Sequence, residues 1–244
     1  MLAPQPVMIN LLKKIFSTSK NSNNKDISFD TLKKNKSLSL LFLAIENYSE
    51  KSEIRYVGGC IRKILNKEKI DDIDFAVNLE PYQCIEAFKK NNIKYLETGI
   101  EHGTITAIID NNKFEITSLR KDISTDGRHA KVKFSNSWFE DSSRRDFTIN
   151  SIYADVDGNL YDPFNGKKDL EIGHVKFIGD AEKRIKEDYL RILRYIRFFL
   201  NYSKIDHDEN VKKIIKQNIN GISNISSERL LDEFKKIIQS KNFL

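Results

Sequence analysis

The distribution of apolar residues predicts an α+β fold, a mixed sheet with helices followed by an all-helical segment. Three observations carry that prediction. Between Ile54 and Leu119, short alternating apolar runs interleave with runs of helical period. From Glu187 onward the helical period stands alone. At the centre lies YVGGCIRKILNKEKIDDIDFAVNLE, Tyr56 to Glu80, an apolar strand that passes through Gly58-Gly59 into a helix and on to a strand carrying Asp72 and Asp74.

Taken in order, residues 1–30 read as a flexible leader: Pro4, Pro6, an apolar patch broken by Lys13 and Lys14, and no acidic residue before Asp26. The lysines and the lack of a small-residue cleavage site exclude a secretory signal. The composition also fits an organellar transit peptide, but a frayed N-terminus is the simpler reading, and with it a cytoplasmic location. Thr31–Ser49 is expected to be one helix, with Leu38, Leu40, Leu41, Leu43, Ala44 and Ile45 packed on the sheet. Ile54, Tyr56 and Val57 form the strand before the glycines, and Cys60, Ile61, Ile64 and Leu65 the inner face of the next helix. Period 2 then puts Asp72 and Asp74 on one face and Ile73, Phe75 and Val77 on the other. Pro81 opens a helix over Tyr82–Asn91 with Cys84, Ile85, Ala87 and Phe88 inward.

Strands are expected at Lys94–Thr98, Thr104–Asp110 and Lys113–Leu119, the last two joined at Asn111-Asn112. Asp126-Gly127-Arg128-His129 leads into a loop ending at Phe139-Glu140-Asp141, able to close on a substrate or to serve only as a connection. Tyr153–Tyr161 reads as a hairpin turning at Asp157-Gly158. That explains Asp155 and Asp157 structurally, and Leu160, where an EF-hand loop needs glycine, excludes that motif. In the next helix Tyr189, Ile192, Leu193, Ile196 and Leu200 gather on one side and Asp188, Arg191 and Tyr195 on the other. Two further amphipathic helices follow at Glu209–Gln217 and Ser226–Gln239, the second capped by Ser226 with Arg229, Lys235 and Lys236 outward.

Composition narrows the function classes. With 244 residues, 39% apolar and 31% charged, the chain can bury a core and is not disordered. No apolar run approaches the ~20 residues of a membrane span, so no membrane partner is expected. Cys60 and Cys84, outside any metal-ligand spacing, point to a reducing compartment, and the four histidines are too scattered for a zinc site. The net charge of +6 is uneven: residues 1–30 carry four basic and two acidic residues, 31–180 carry 23 and 24, and 181–244 carry 14 and nine. That C-terminal excess suits contact with a polyanion, and equally a lysine-rich solvated helix face.

The chemistry concentrates at four places. Two glycines at a helix N-terminus let backbone amides approach phosphate oxygens, the helix dipole favours the anion, and Arg62 can add a charge-assisted contact. Paired carboxylates at Asp72 and Asp74 make a natural Mg²⁺ site, although the same spacing recurs at Asp155/Asp157 and Asp206/Asp208. In Arg144-Arg145-Asp146, Arg145 can bind phosphate, while Asp146 can accept from a ribose hydroxyl or cap a helix. Asp188 and Arg191 can match a base's Watson–Crick edge or form a surface ion pair. Glu115, on a strand face with Lys113 and Thr117, is a candidate third carboxylate or merely solvent-facing.

The order Gly-Gly, Arg62, Asp72-x-Asp74, then Glu101-His102-Gly103-Thr104, Glu115-Ile116-Thr117, RRDFTIN at 144–150, and EDxxRxLRxxRF met without substitution at Glu187–Phe198 resembles the polymerase-β-like nucleotidyltransferases. Within them it resembles the tRNA nucleotidyltransferase and poly(A) polymerase family, over roughly Arg55 to Gln239. The resemblance implies a catalytic head at 31–170 and a helical neck at 171–244, with Asp162–Leu170 as the hinge. It implies Mg²⁺ ions on Asp72 and Asp74, with Glu115 as a further catalytic carboxylate. Gly58, Gly59 and Arg62 would hold the triphosphate of ATP or CTP, Arg145 and Asp146 the ribose, and Asp188 and Arg191 the base, with Asn150 and Arg194 also in the nucleotide site. The implied reaction is template-independent addition of CMP and AMP to tRNA 3′ ends, with poly(A) addition as the alternative and an RNA-binding remnant with little catalysis as a third. Two departures stand out. Lys63 replaces the family's usual Asp, removing an expected partner of Arg62, and helical body and tail domains are expected to be absent, which would leave tRNA to the basic neck, another copy or another protein.

Overall fold

The computed structural model describes residues 28–97, 99–125 and 130–243; most of the leader, Thr98 and the Asp126–His129 turn lie outside the described residues. Helices α1 (Phe29–Lys33) and α2 (Lys36–Glu46) replace the single helix expected over Thr31–Ser49. The break falls at Asn35, whose side-chain oxygen accepts from the backbone N–H of Ser37 (3.0 Å) and Leu38 (3.3 Å), the preferred chemistry for starting a helix. Leu38, Leu41, Phe42 and Ile45 of α2 are buried, whereas Leu40 and Leu43, expected inward, are exposed because they fall outside the inward arc.

Strand β1 (Ile54–Val57) enters α3 (Gly59–Leu65), and β2 (Asp74–Val77) is followed by α4 (Pro81–Lys90), with Pro81 in its first turn. Next come β3 (Lys94–Leu96), β4 (Thr104–Ile109) and β5 (Asn112–Ser118). The β4–β5 connection is Asp110-Asn111, one residue earlier than expected, since Ile109 pairs with Asn112 and both turn residues have positive φ (48° and 64°). A two-residue turn of that hand matches the strand twist, and Asp and Asn tolerate it. A separate ribbon, β6 (Arg120–Thr125) with β7 (Ala130–Phe134), leads to α5 (Trp138–Ser143). The hairpin β8 (Tyr153–Ala154) and β9 (Leu160–Tyr161) is short, with a five-residue loop in which the Asp155 carboxylate accepts from the N–H of Asp157 and Asn159.

The main sheet runs β3-β4-β5-β2-β1-β8-β9 and is antiparallel except for the parallel β2–β5 pair, so it is mixed, as expected of this α+β chain. One face carries the main core, in which Leu38, Phe42, Tyr56, Phe75, Phe88 and Ile116 pack with Cys60 and Cys84. Burial raises both thiols, to about 11 and about 12, so neither is a ready nucleophile. On the other face Val57, Ala76, Leu119 and Tyr153 lie under Trp138.

The C-terminal part is helical: α6 (Gly166–Ile172), α7 (Ala181–Glu187), α8 (Leu190–Tyr202), α9 (Glu209–Asn218) and α10 (Ser227–Ile238). Phe147 and Ile149 share a second core with Leu170, Phe177, Ile192, Tyr195 and Phe198, so α8 is packed directly on the segment after β7. Tyr195, expected on the polar side, is buried and stacked on Phe177 (5.7 Å). At 100° per residue it stands only about 60° from Ile192, inside the apolar arc. Ser226 precedes α10 without a side-chain cap.

Candidate active site

The sharp turn at the head of α3 requires glycine at one position. Gly58 has φ 71° and ψ −117°, a conformation strained for any side chain, and it delivers the chain directly into the helix. Arg62, one turn later, is buried. Its guanidinium donates to the Asn150 side-chain oxygen and lies over the rings of Phe198 (4.8 Å) and Tyr202 (4.9 Å), while its Nε has no hydrogen-bond partner among the described residues. Asn150 is fixed in turn by Asp146, which accepts from Asn150 Nδ2 (2.8 Å), the Phe147 N–H (2.9 Å) and Arg194 Nε (2.7 Å). Asp146 therefore caps no regular α-helix. Burial alone would raise its carboxyl, but Arg194 and Asn150 hold it below its ordinary range.

Arg145 is aimed by a second buried carboxylate. Asp141, 1% exposed, accepts from Arg144 Nε (2.8 Å), Arg145 NH2 (3.0 Å), the Tyr153 hydroxyl (2.7 Å) and the Arg120 N–H (3.3 Å). Burial pushes Asp141 upward, and Arg145 and Arg144 outweigh it, holding the carboxyl well below the usual range. Arg184 of α7 donates to the backbone carbonyls of Arg144 and Arg145 (2.5 Å for the latter), pinning the loop from behind.

The chain does not run through Asp188 as one helix. Residue 188 is extended (φ −158°, ψ 106°) between α7 and α8, so Asp188 and Arg191 do not form the i, i+3 helical pair expected. Asp188 accepts from the Leu190 N–H (3.1 Å) and Arg229 (2.7 Å), while Arg191 donates to the Arg184 carbonyl (2.8 Å) and Glu187. Arg229, expected outward, turns inward because α10 lies along α8, where Glu233, 3% exposed, also accepts from Arg197 (2.5 Å).

These elements enclose one cleft of about 590 Å³. Of the expected site residues, Gly58, Gly59, Arg62, Asp74, Arg145, Asp146, Asn150, Asp188, Arg191 and Arg194 line it, and Asp72 and Glu115 do not. Its wall holds eight arginines against three aspartates, a charge balance suited to a polyphosphate. Four of the arginines, Arg120, Arg144, Arg197 and Arg229, are absent from the sequence-based reading of the site. The doublet Arg144-Arg145 is the available signal for one of them.

Residues 54–176 match the family described as the poly A polymerase head domain, and residues 206–244 match one described as the probable RNA and SrmB-binding site of polymerase A. The chain belongs to the tRNA nucleotidyltransferase and poly(A) polymerase family. Among relatives of that family, the CCA tRNA nucleotidyltransferase 1, mitochondrial, of Homo sapiens is 46% identical over 209 residues, 83% of this chain and 46% of its own length. The CCA-adding enzyme of Lactobacillus johnsonii is 37% identical over 187 residues, 76% of this chain and 46% of the relative. The chain thus spans about half the length of the curated relatives it matches. The crystal structure of the Bacillus stearothermophilus CCA-adding enzyme in complex with CTP superposes with a TM-score of 0.73 at 29% identity, over 84% of this chain and 48% of that one. A tRNA nucleotidyltransferase complexed with a primer tRNA and an incoming ATP analog superposes at 0.64 and 27%, over 84% and 57%.

Of the three carboxylates, Asp74 sits where the sheet meets the cleft. Strand β2 begins only at Asp74, so Asp72 lies in the irregular segment before it rather than two residues along the same strand. Glu115 on β5 is the direct register partner of Asp74. Burial, then Glu115, then Asp72 raise the Asp74 carboxyl above its ordinary value, and Arg145 opposes them. Among the described residues no three His, Cys, Asp or Glu side chains form a ready-made metal cage. The donor set nevertheless fits Mg²⁺, which takes one or two carboxylates and completes its shell with water and substrate phosphates. Mutual repulsion at Asp74 is what such a cation would relieve. The Lys63 ammonium meets Asp71 (2.6 Å), and Asn150 supplies the partner that Arg62 was expected to lack. Among the described residues no helix is long and apolar enough to cross a membrane.

Proposed function

We propose that this chain is a template-independent RNA nucleotidyltransferase that adds CMP and AMP to tRNA 3′ ends. The observation that carries the reading is the single cleft joining Asp74 to the glycine turn on one side and to Asp188 and Arg191 on the other. One nucleoside triphosphate can touch all three groups. The Gly58-Gly59 backbone and Arg62 receive the triphosphate, Arg145 and Asp146 the ribose, with Asn150 and Arg194 holding Asp146 and Arg62 in place. Asp188 and Arg191 face the base and offer an acceptor and donors to its Watson–Crick edge. Asp72 and Asp74 would hold Mg²⁺, with Glu115 beside them. Bound there, Mg²⁺ would activate the RNA 3′-hydroxyl and stabilise the departing pyrophosphate. Residues 31–170 form the head and 171–244 the neck in this reading.

The relatives named for CCA addition favour tRNA as substrate, while the head-domain description favours poly(A) addition as the second reading. Purified protein incubated with tRNA lacking its terminal triplet, Mg²⁺ and single labelled nucleotides separates them. CTP followed by ATP incorporation supports the first, long ATP-only tails support the second, and silence with every substrate overturns both in favour of an RNA-binding remnant. We place the protein in the cytoplasm. The mammalian relatives named mitochondrial make a fluorescent fusion with the complete leader the deciding observation.

A further inference from the structure

Arg62 is 7% exposed, yet among the described residues no carboxylate forms an ion pair with it. A guanidinium left in the interior without a counter-charge is costly. Lys63, in place of the family's usual Asp, is turned to Asp71. One terminal nitrogen of Arg62 donates to Asn150, and a Cβ placed on Gly59 would lie 3.9 Å from the other. The surroundings add further cations, since Arg194 (5.5 Å) and Arg197 (4.4 Å) share the Phe198 ring with Arg62. Burial, then Arg194 and Arg62, hold Arg197 below its ordinary value although Glu233 opposes them.

What offsets this burial is aromatic. Phe198 and Tyr202 stand one turn apart on α8, at i and i+4, with centroids 6.1 Å apart and ring planes 29° from parallel. The Arg62 guanidinium carbon lies 4.8 Å from one centroid and 4.9 Å from the other, so the two rings share it almost equally. Both distances fall within the ~6 Å at which a ring face attracts a cation. Tyr202 is the last residue of α8 and is itself tied to the head. Lys241 lies 5.7 Å from its centroid and pairs with Glu68 (2.8 Å), three residues beyond the helix that carries Arg62, while the Lys241 N–H donates to the Asn201 side chain (3.2 Å).

A carboxylate would also fix Arg62, but it would satisfy the same charge that a substrate phosphate has to meet. A ring attracts the cation through its quadrupole and carries no net charge, so the guanidinium stays fully available to an anion. We propose that Tyr202, together with Phe198, is a positioning residue that holds Arg62 beside the Gly58-Gly59 turn, fixed but not neutralised, to receive the phosphates of the nucleoside triphosphate. Phe198 lines the cleft and Tyr202 stands behind it, acting through Arg62. The inference rests on the nucleotidyltransferase reading and names what tunes its triphosphate site.

Positioning of a phosphate-binding cation separates from a merely structural role by the number of phosphates on the ligand. CTP and CMP are titrated into the full chain by calorimetry, with Mg²⁺ and without RNA. Tyr202→Leu is expected to weaken CTP about tenfold and CMP less than about twofold. Tyr202→Phe, which keeps the ring, is expected to bind both within about twofold of the wild type. In an Arg62→Ala background, adding Tyr202→Leu is expected to change CTP affinity by less than about twofold, because the effect runs through Arg62. Tyr202→Met, also ringless, replaces the leucine variant if that one does not fold. Equal losses for CTP and CMP, no loss for either, CTP binding by Tyr202→Phe as weak as by the leucine variant, or no CTP binding by the wild type overturns the assignment. Incorporation into tRNA tests the underlying reading separately: a wild type that shows the expected split between the two ligands but transfers no nucleotide overturns that reading and leaves the ring clamp standing.

Discussion

At the scale of single residues, the site is a set of side chains held in arrangements that cost stability and serve chemistry. Asp74 is the clearest case, since its carboxyl is raised by burial and by Glu115 and Asp72. A raised pKa means that the ionised form is penalised in the fold; the penalty is present at neutral pH and vanishes on acidification toward the unfolded value near ~3.9. Asp74→Asn is therefore expected to melt at or above the wild-type temperature without metal, while nucleotide transfer falls by about a thousandfold or more. Mg²⁺ should raise the melting temperature of the wild type and not of the variant, which calorimetry can read. Asp141 makes the opposite prediction. It carries both Arg144 and Arg145 from a buried position, so Asp141→Asn is expected to cost about 3 kcal/mol in urea unfolding, because two guanidinium groups lose their counter-charge. Tyr153→Phe removes one hydrogen bond from the same group and should cost about 1 kcal/mol. The milder variant should still raise the KM for the nucleotide more than it lowers kcat, because Arg145 loses one of its two side-chain anchors.

Among elements, what decides the site is how closely backbone segments approach. A Cβ on Gly166 would lie 2.1 Å from the Thr148 carbonyl oxygen, so α6 sits directly on the 148–150 turn that carries Asn150. Gly166→Ala is expected to push that turn away and destabilise the protein by about 2 kcal/mol, within the range for overpacking. Since Asn150 holds Arg62, the same change should weaken triphosphate binding, measurable by titration with a non-hydrolysable nucleotide. Nothing in the sequence around Gly166 announces this approach, because it joins residues eighteen positions apart through backbone atoms alone. By contrast β1, α3 and α4 are legible: their periods are short, and their boundaries are marked by Gly58-Gly59 and Pro81. Periodicity misplaces the polar side of α8 at Tyr195 because Asp188, which helps define that side, lies outside the helix. The inward turn of Arg229 is likewise hidden, since only the tertiary neighbour α8 distinguishes its buried face from its wet one.

The whole molecule joins its sheet to its C-terminal helices across the cleft with charged contacts. Arg194 of α8 meets Asp146, and Arg184 of α7 meets the carbonyls before Asp146. These contacts make the joining of the sheet to the C-terminal helices depend on pH in a defined direction. Asp146 and Asp141 are both depressed below the ordinary carboxylate value, so their stabilisation is complete above about pH 4 and is lost as pH falls through their folded values. Asp74, displaced upward, sheds its penalty earlier, on the way down from neutrality. Without Mg²⁺, stability should therefore hold level or rise slightly from pH 7 to about pH 5 and then drop steeply below about pH 4. Asp146→Asn should lose about 3 kcal/mol at pH 7 and show a shallower acid limb, since one buried, depressed carboxyl no longer titrates. Urea midpoints across pH 3–7 for both proteins measure this, and an unchanged acid limb in the variant would mean that the Asp146–Arg194 pair does not join the two parts in solution. Asp188 and Arg191 line the same cleft as Asp146 and Asp74, so under the proposed reading a variant with a shallower limb should also lose discrimination between CTP and ATP.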